Sequence, residues 1–190
     1  MASAGSRAWT PEAVVALEHD FGPVMQNAFM VEDVQAAIEH WTRNLQVGPF
    51  FVFERVPFKE VWYRGEPATG IDLTVAIAYW GDMQIELIRQ NNDVPSIYND
   101  FRAQGRTGLQ HMGVMSAHLE RDLARLSGKN IVPVQYGSAA GMRFAYVSTD
   151  FHAGGMVELI EATPKTVAFF ERMRQAARMW DGRDAIVPLR

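Results

Sequence analysis

The chain has 190 residues, 48% of them hydrophobic and 21% charged, which suits one domain or two small fused modules with a real apolar core. The absence of cysteine excludes disulfides, thiolate metal sites and cysteine nucleophiles, and it fits a reducing compartment. With a net charge of −4 and scattered Lys and Arg, no basic face is offered to nucleic acid, and no apolar run reaches the length of about 18 residues that a membrane span needs.

The N-terminal "MASAGSRAWT" lacks the apolar core of a secretory signal, so a cytoplasmic protein is expected. "TPEAVVALEHDFG" follows, where Thr10 before Pro11 predicts a short helix. "VMQNAFMV" reads as a strand. Asp33 then caps a helix running to about Asn44, whose Val34, Ala37, Ile38, Trp41 and Leu45 form one apolar stripe. "FFVFERV", "IDLTVAIAYW" and "GDMQIELIRQ" are strands by their β-branched and aromatic content. "KEVWYRGEPATG" between the first two is a loop with some strand character.

After the polar connection "NNDVPSIYNDFRAQGRTG" the order repeats. "LQHMGVM" is a strand, and "SAHLERDLARLSG" is a helix with Leu119, Leu123 and Leu126 on one side and Gly128 at its end. "NIVPVQYG", "MRFAYVSTD" and "GGMVELIEA" are three more strands. "KTVAFFERMRQAARMW" is an amphipathic helix whose Phe169, Phe170, Met173 and Trp180 can dock on the domain or on a second subunit.

The chain is therefore α+β, with two βαβββ modules in tandem that form a curved mixed sheet, followed by a C-terminal helix. The expected divisions are an N-terminal extension over 1–23, modules over 24–92 and 108–163, a connection over 93–107, and the helix with its tail over 164–190. Aligning the repeats sets Gln26 against His111 and Glu86 against Glu158. The interval between the paired positions is longer in the first half, which places an insertion around residues 54–70.

A pseudo-twofold relation brings the first and last strands of both modules together, so these four side chains should converge in the cup. Strand alternation puts Gln26, Ala28 and Met30 on one face and Phe29 and Val31 on the helix-covered side. A carboxylate flanked by Val157 and Leu159, or by Ile85 and Leu87, must be paired, protonated or bound to a metal. Two carboxylates, an imidazole and an amide oxygen suit a divalent ion such as Zn, Ni, Co, Mn or Fe. The plainer alternatives are a Gln26 that is hydrogen-bonded within the sheet and a His111 that is a satisfied core histidine. His19, His40, His118 and His152 read as solvated, Glu161 as facing away from the cup, and Met30, Met115 and Met156 as sharing the face of the four residues and lining a pocket for an apolar substrate.

The strings "QNAFMVEDVQAAIEHW", "GDMQIELI", "GLQHMGVM" and "GGMVELIEA", in order and in duplicate, resemble the vicinal oxygen chelate superfamily over residues 24–163. That superfamily includes glyoxalase I, methylmalonyl-CoA epimerase, bleomycin-resistance proteins and extradiol dioxygenases. Its first ligand is commonly histidine, but eukaryotic-type glyoxalase I carries Gln, Glu, His and Glu, the set seen here at Gln26, Glu86, His111 and Glu158. The resemblance implies Glu158 as the leading base and Glu86 as a ligand and possible second base. The glutathione-binding positions of glyoxalase I are Met30, Gln90 and Thr107 here, with Arg106 adjacent, so that clamp is mostly missing. "VPSIYNDFRAQGRTGLQHMGV" is similar to the connection of the epimerases, where a Ser-Pro-like segment precedes a helix and a Gly-Leu-His-His string; Gln110 replaces the first histidine.

The chain as a whole most resembles the epimerase-like glyoxalase proteins. The resemblance implies a metal-dependent isomerase, epimerase or lyase that removes a proton next to a metal-bound carbonyl and stabilises an enediolate. Its partner would be a small molecule with a carbonyl or thioester, and a homodimer is expected. The competing readings are a metal-free small-molecule binder and an extradiol dioxygenase, the latter disfavoured because only one histidine holds a ligand position.

Overall fold

The computed structural model describes residues 21–148 and 155–189, so the helix expected over residues 10–22 lies almost wholly outside them. The first module begins with β1 (Val24–Met30) and α1 (Val34–Leu45). Asp33 caps α1 by accepting from the Ala36 amide at 3.0 Å, and Gln46 ends it in the left-handed region at φ 55°. β2 (Phe50–Phe53), β5 (Leu73–Trp80) and β6 (Met83–Gln90) complete the repeat. The second module has β7 (Gly108–Ser116), α3 (Leu119–Ser127), β8 (Pro133–Ala139), β9 (Met142–Ser148) and β10 (Met156–Glu161).

Each module has the same wiring. Its first strand lies parallel to its last, β1 to β6 and β7 to β10, and the helix between supplies the crossover. The modules join through the antiparallel pair β1–β7, giving one curled sheet whose central order is β2-β5-β6-β1-β7-β10-β9-β8.

Three features go beyond the expected repeat. The segment read as a loop is a hairpin, β3 (Phe58–Tyr63) and β4 (Glu66–Ala68), which leaves the first module and pairs with β8 of the second. The connection between modules holds α2 (Ile97–Ala103), capped by the Ser96 hydroxyl, which accepts from the amides of Tyr98 and Asn99. β11 (Ile186–Pro188) returns to pair with β2 at the opposite edge. Both outer strands are short and contain proline, a common protection against edge-to-edge association.

The core has three parts. Val34 and Ile38 of α1 pack on Ile85 and Leu87, and Leu119 of α3 packs on Val114 and Leu159, so one face of each module is covered by its own helix. The opposite, concave face is covered by α2, through Ile97, Tyr98 and Phe101, and by α4 (Pro164–Met179), through Val167, Phe170 and Met173. Thr163 caps α4 by accepting from the Thr166 amide at 3.1 Å, with Pro164 in the first turn. Buried Arg174 ties α4 to the sheet by donating to Asp82 at 3.1 Å, and it also pairs with Glu171. Trp180 lays its ring over Gly48, where a Cβ would fall 2.9 Å from the ring edge.

The hairpin is held by contacts that only this arrangement provides. Tyr63 and Arg64 donate to Asp100 of α2 at 2.6 and 2.7 Å, and burial and Asp100 push the Tyr63 hydroxyl up to about 12. At Gly137 of β8 a Cβ would sit 2.9 Å from Val61 Cα and 3.0 Å from the Glu60 carbonyl, both rigid backbone. Gly137→Ala should therefore push the hairpin away and destabilise the protein by about 1–3 kcal/mol. Hydrogen exchange of amides in residues 58–68 should speed up while exchange in β6 and β7 is unchanged; equal acceleration everywhere would contradict a local role for Gly137.

Candidate metal and substrate site

The four residues expected in the cup come from the four central strands. Gln26 is on β1, Glu86 on β6, His111 on β7 and Glu158 on β10, two from each module. Register explains the convergence: Ala28 pairs with both Glu86 and His111, and Glu158 pairs with Gly113, two residues along β7 from His111 on the same face.

Glu86, His111 and Glu158 form a tight group. His111 Nε2 lies 3.4 Å from Glu86 Oε2 and 3.3 Å from Glu158 Oε2, and the candidate ligand atoms all lie within 4.8 Å of one another. Neither contact has hydrogen-bond geometry, so Nε2 is buried without a hydrogen-bond partner. The other ring nitrogen is fixed: Nδ1 sits 2.6 Å from Gln110 Oε1, and because an amide oxygen only accepts, Nδ1 carries the hydrogen. In the neutral ring the Nε2 lone pair then points at the two carboxylates, the tautomer a metal ligand requires. Gln110 thus orients the imidazole.

Charge balance in this group is unusual. Burial is the largest influence on His111 and opposes its protonation, but the facing carboxylates of Glu158 and Glu86 outweigh it and raise the ring to about 9. Burial holds the Glu86 carboxyl above its ordinary range, with His111 opposing and Glu158 adding to the effect. A divalent ion would replace the imidazolium proton as the counter-charge.

Gln26 is buried and aimed into the same cavity. Its Nε2 donates to Gln84 Oε1 at 2.6 Å, and Gln84 Nε2 donates to the Tyr79 hydroxyl at 3.0 Å. That chain fixes the amide so that Gln26 Oε1 is left as a buried acceptor with no partner. An unsatisfied buried acceptor costs about 1–3 kcal/mol and calls for an explanation such as an ion or water. The donor set of Glu86, His111 and Glu158, with the orphaned Gln26 Oε1 and His111 Nε2, fits a divalent cation with oxygen and imidazole ligands.

The two carboxylates and Gln26 face a cavity of about 90 Å³. Phe53, Phe58, Met142, Phe144 and Phe170 supply much of its wall. The remaining polar groups on it are Tyr98 and Tyr146. Tyr98 donates to the Tyr146 hydroxyl at 3.0 Å, and the Tyr146 ring packs edge-on against His111 with centroids 5.0 Å apart. Burial first and then the charge of Glu158 keep both phenols protonated well above their ordinary range.

Some expectations change here. Met30 and Met115 are buried in the concave core and Met156 packs against it, and none of the three lines this cavity, whereas Met142 does. Met30, Gln90, Arg106 and Thr107 meet at a separate pocket, where Gln90 is committed to Asn92, Val94 and Ser96. Glu161, as expected, faces away from the cup and pairs with Arg143. Gln84, Gln110, Tyr98 and Tyr146 were not anticipated as site residues. The strand alternation that picked out Glu86 also marked Gln84, and Gln110 stands beside His111.

A family model described as Glyoxalase/Bleomycin resistance protein/Dioxygenase superfamily matches residues 25–146, and the chain belongs to that superfamily. A search of curated proteins finds no match. Among solved structures, a methylmalonyl-CoA epimerase from Mycobacterium tuberculosis is 18% identical with a TM-score of 0.57, over 82% of this chain and 99% of that one. A Streptomyces coelicolor methylmalonyl-CoA epimerase in complex with 2-nitronate-propionyl-CoA is 16% identical with a TM-score of 0.56, over 76% and 96%. A hypothetical protein from Bacillus halodurans C-125 is 14% identical with a TM-score of 0.53, over 74% and 94%. At these identities the likeness is one of fold. Among the described residues no helix is long and apolar enough to cross a membrane.

Gly113 makes room for Gln26, because a Cβ there would lie 2.3 Å from Gln26 Oε1. Gly113→Ala should lower stability by about 1–3 kcal/mol, which is roughly 2–4 °C in Tm per kcal/mol at this chain length. Adding Gln26→Ala should recover part of the loss. Strictly additive effects in the double variant would show that the two positions do not touch.

Proposed function

We propose that the protein is a metal-dependent isomerase, epimerase or lyase of the glyoxalase type, acting on a small carbonyl compound. The observation that carries this reading is the buried Glu86–His111–Glu158 group, with His111 Nε2 and Gln26 Oε1 unpartnered beside a cavity. Gln26, Glu86, His111 and Glu158 would hold the ion. When bound, such an ion supplies a Lewis acid for the substrate carbonyl.

The chain's own residues then have distinct tasks. Glu158 lines the cavity and takes the proton from the carbon next to the carbonyl; the C–H bond breaks, an O–H bond forms on Glu158, and the electron pair moves toward the substrate oxygen. Glu158 then gives the proton back to the other face or to a neighbouring carbon, with Glu86 as the candidate second acid. The Tyr146 hydroxyl accepts from Tyr98 and is itself directed at the Glu158 carboxylate, so it holds that base in place. Gln110 holds the imidazole tautomer, and the apolar wall excludes water. Both modules contribute from one chain, so the group is assembled without a second subunit; the expected homodimer remains part of this proposal.

One observation favours a second reading, that of a metal-free small-molecule binder. With His111 raised to about 9, the ring carries a proton near neutral pH and serves as a counter-charge to the carboxylates without an ion. Zinc titration separates the two. The enzyme reading expects one ion per chain, and it expects His111→Ala to weaken that binding at least about a hundredfold. Glu158→Gln should keep the fold and slow solvent-deuterium incorporation next to a carbonyl by about 10²–10⁴-fold. Unchanged zinc binding in His111→Ala, or no zinc binding by the wild-type chain, would sink the metal-dependent reading.

The pH response has a definite sign. Glu86 and His111 both bind protons more tightly folded than unfolded, so metal-free stability falls as pH rises above the ordinary carboxylate range and again between about 6.5 and 9. Cation binding displaces those protons, so the gain in Tm on adding zinc should grow from pH 6 to pH 8, with affinity rising up to about tenfold per pH unit for each proton released. A gain independent of pH would contradict the assignment of His111.

A further inference from the structure

From the make-up of the cavity wall we infer that the group this site accepts is small, uncharged and apolar apart from its carbonyl. The inference names the substrate class for the site proposed above and rests on that reading only for the presence of the carbonyl. It is carried by what the wall lacks: among the described residues, none that lines the cavity is Lys, Arg or His. The ionisable groups on it are the carboxyls of Glu86 and Glu158 and the two protonated phenols, Tyr98 and Tyr146. A bound divalent ion would have its two positive charges matched by those carboxylates, leaving no net attraction for a third anion. A substrate carboxylate or phosphate placed there would be buried without a partner, which is strongly unfavourable.

The rest of the wall fits the same class. Phe53, Phe58, Phe144 and Phe170 offer ring surface, and Met142 offers a flexible apolar side chain that adapts to different outlines. Size adds a limit. A water molecule occupies about 10–15 Å³ of such space, so about six to nine non-hydrogen atoms would fill the roughly 90 Å³ of the cavity, and a longer ligand would extend through its open side. Arginines do gather nearby, with Arg89, Arg102 and Arg106 around a second pocket, but the two pockets share no lining residue. Phe170 sets the boundary of the cavity, since it reaches in from α4 and α4 is pinned by the pairing of Arg174 with Asp82.

The test is ligand-observed NMR on the full chain, with and without zinc, using cyclohexanone as the uncharged probe and 2-oxopentanoate as the anionic one. Cyclohexanone should bind at least about tenfold more tightly than 2-oxopentanoate, and Phe170→Trp, which fills the cavity, should weaken it at least about tenfold. An anion that binds as well as cyclohexanone would overturn the inference, as would cyclohexanone binding unaffected by a folded Phe170→Trp. If that variant fails to fold, the wild-type ranking alone decides. Deuterium exchange into bound cyclohexanone is read separately: tight binding without exchange would sink the proton-transfer reading and leave this inference standing, whereas exchange into 2-oxopentanoate with no cyclohexanone binding would do the reverse.

Discussion

The antiparallel pairing of β1 with β7 is the contact on which the rest of the molecule depends. It is the seam between two modules that are each complete in wiring but each carry only half of a polar group. Across it, Ala28 stands beside His111 and Gln26 beside Gly113. A slip of one residue would turn every side chain of β1 to the opposite face, sending Gln26 among the helix contacts and Phe29 into the cup. The apolar faces packed by α1 and α3 therefore fix the register, and the register places the carboxylates against the imidazole. Hydrophobic burial on one side of the sheet specifies polar chemistry on the other.

That chemistry is costly in isolation. Two carboxylates converge on a buried imidazole whose Nε2 makes no hydrogen bond, and an amide oxygen stands unpartnered beside the same cavity. A structural ion pair would normally satisfy its remaining lone pairs with donors, because unpaired buried polar groups cost more than the pairing returns. Here the surrounding network orients these groups and leaves Gln26 Oε1 and His111 Nε2 without a hydrogen bond. Gln110 turns the imidazole, and the Gln84–Tyr79 chain turns Gln26. Orienting partners around unsatisfied acceptors are what a cation site needs.

Much of this was legible from the chain because it is written twice. Duplicated strands with matched polar positions identified the fold and predicted that Gln26, Glu86, His111 and Glu158 meet in the cup, and period-two alternation correctly separated the face of Ile85 and Leu87 from that of Glu86. What was not legible depends on contacts distant in sequence. The partner of β3 is β8, far along the chain, so "KEVWYRG" looked like a loop with strand character; its backbone bonds are made only once the second module is present. α4 presents apolar residues that would suit a dimer interface equally well, and only its place on the concave face shows that Phe170 walls the cavity. Tyr146 was hidden for another reason: in the alternation of "MRFAYVS" an aromatic residue reads as core, and its hydroxyl becomes relevant only beside Tyr98 and Glu158.

The central claim is that the buried Glu–His–Glu group is a cation site. Crystals of the zinc-loaded protein, measured at the zinc absorption edge, test it most directly. The account predicts one anomalous peak about 2.0–2.2 Å from His111 Nε2 and from carboxylate oxygens of Glu86 and Glu158, with no sulfur ligand. Zinc bound elsewhere, with His111 still lying between the two carboxylates as an ion pair, would contradict it.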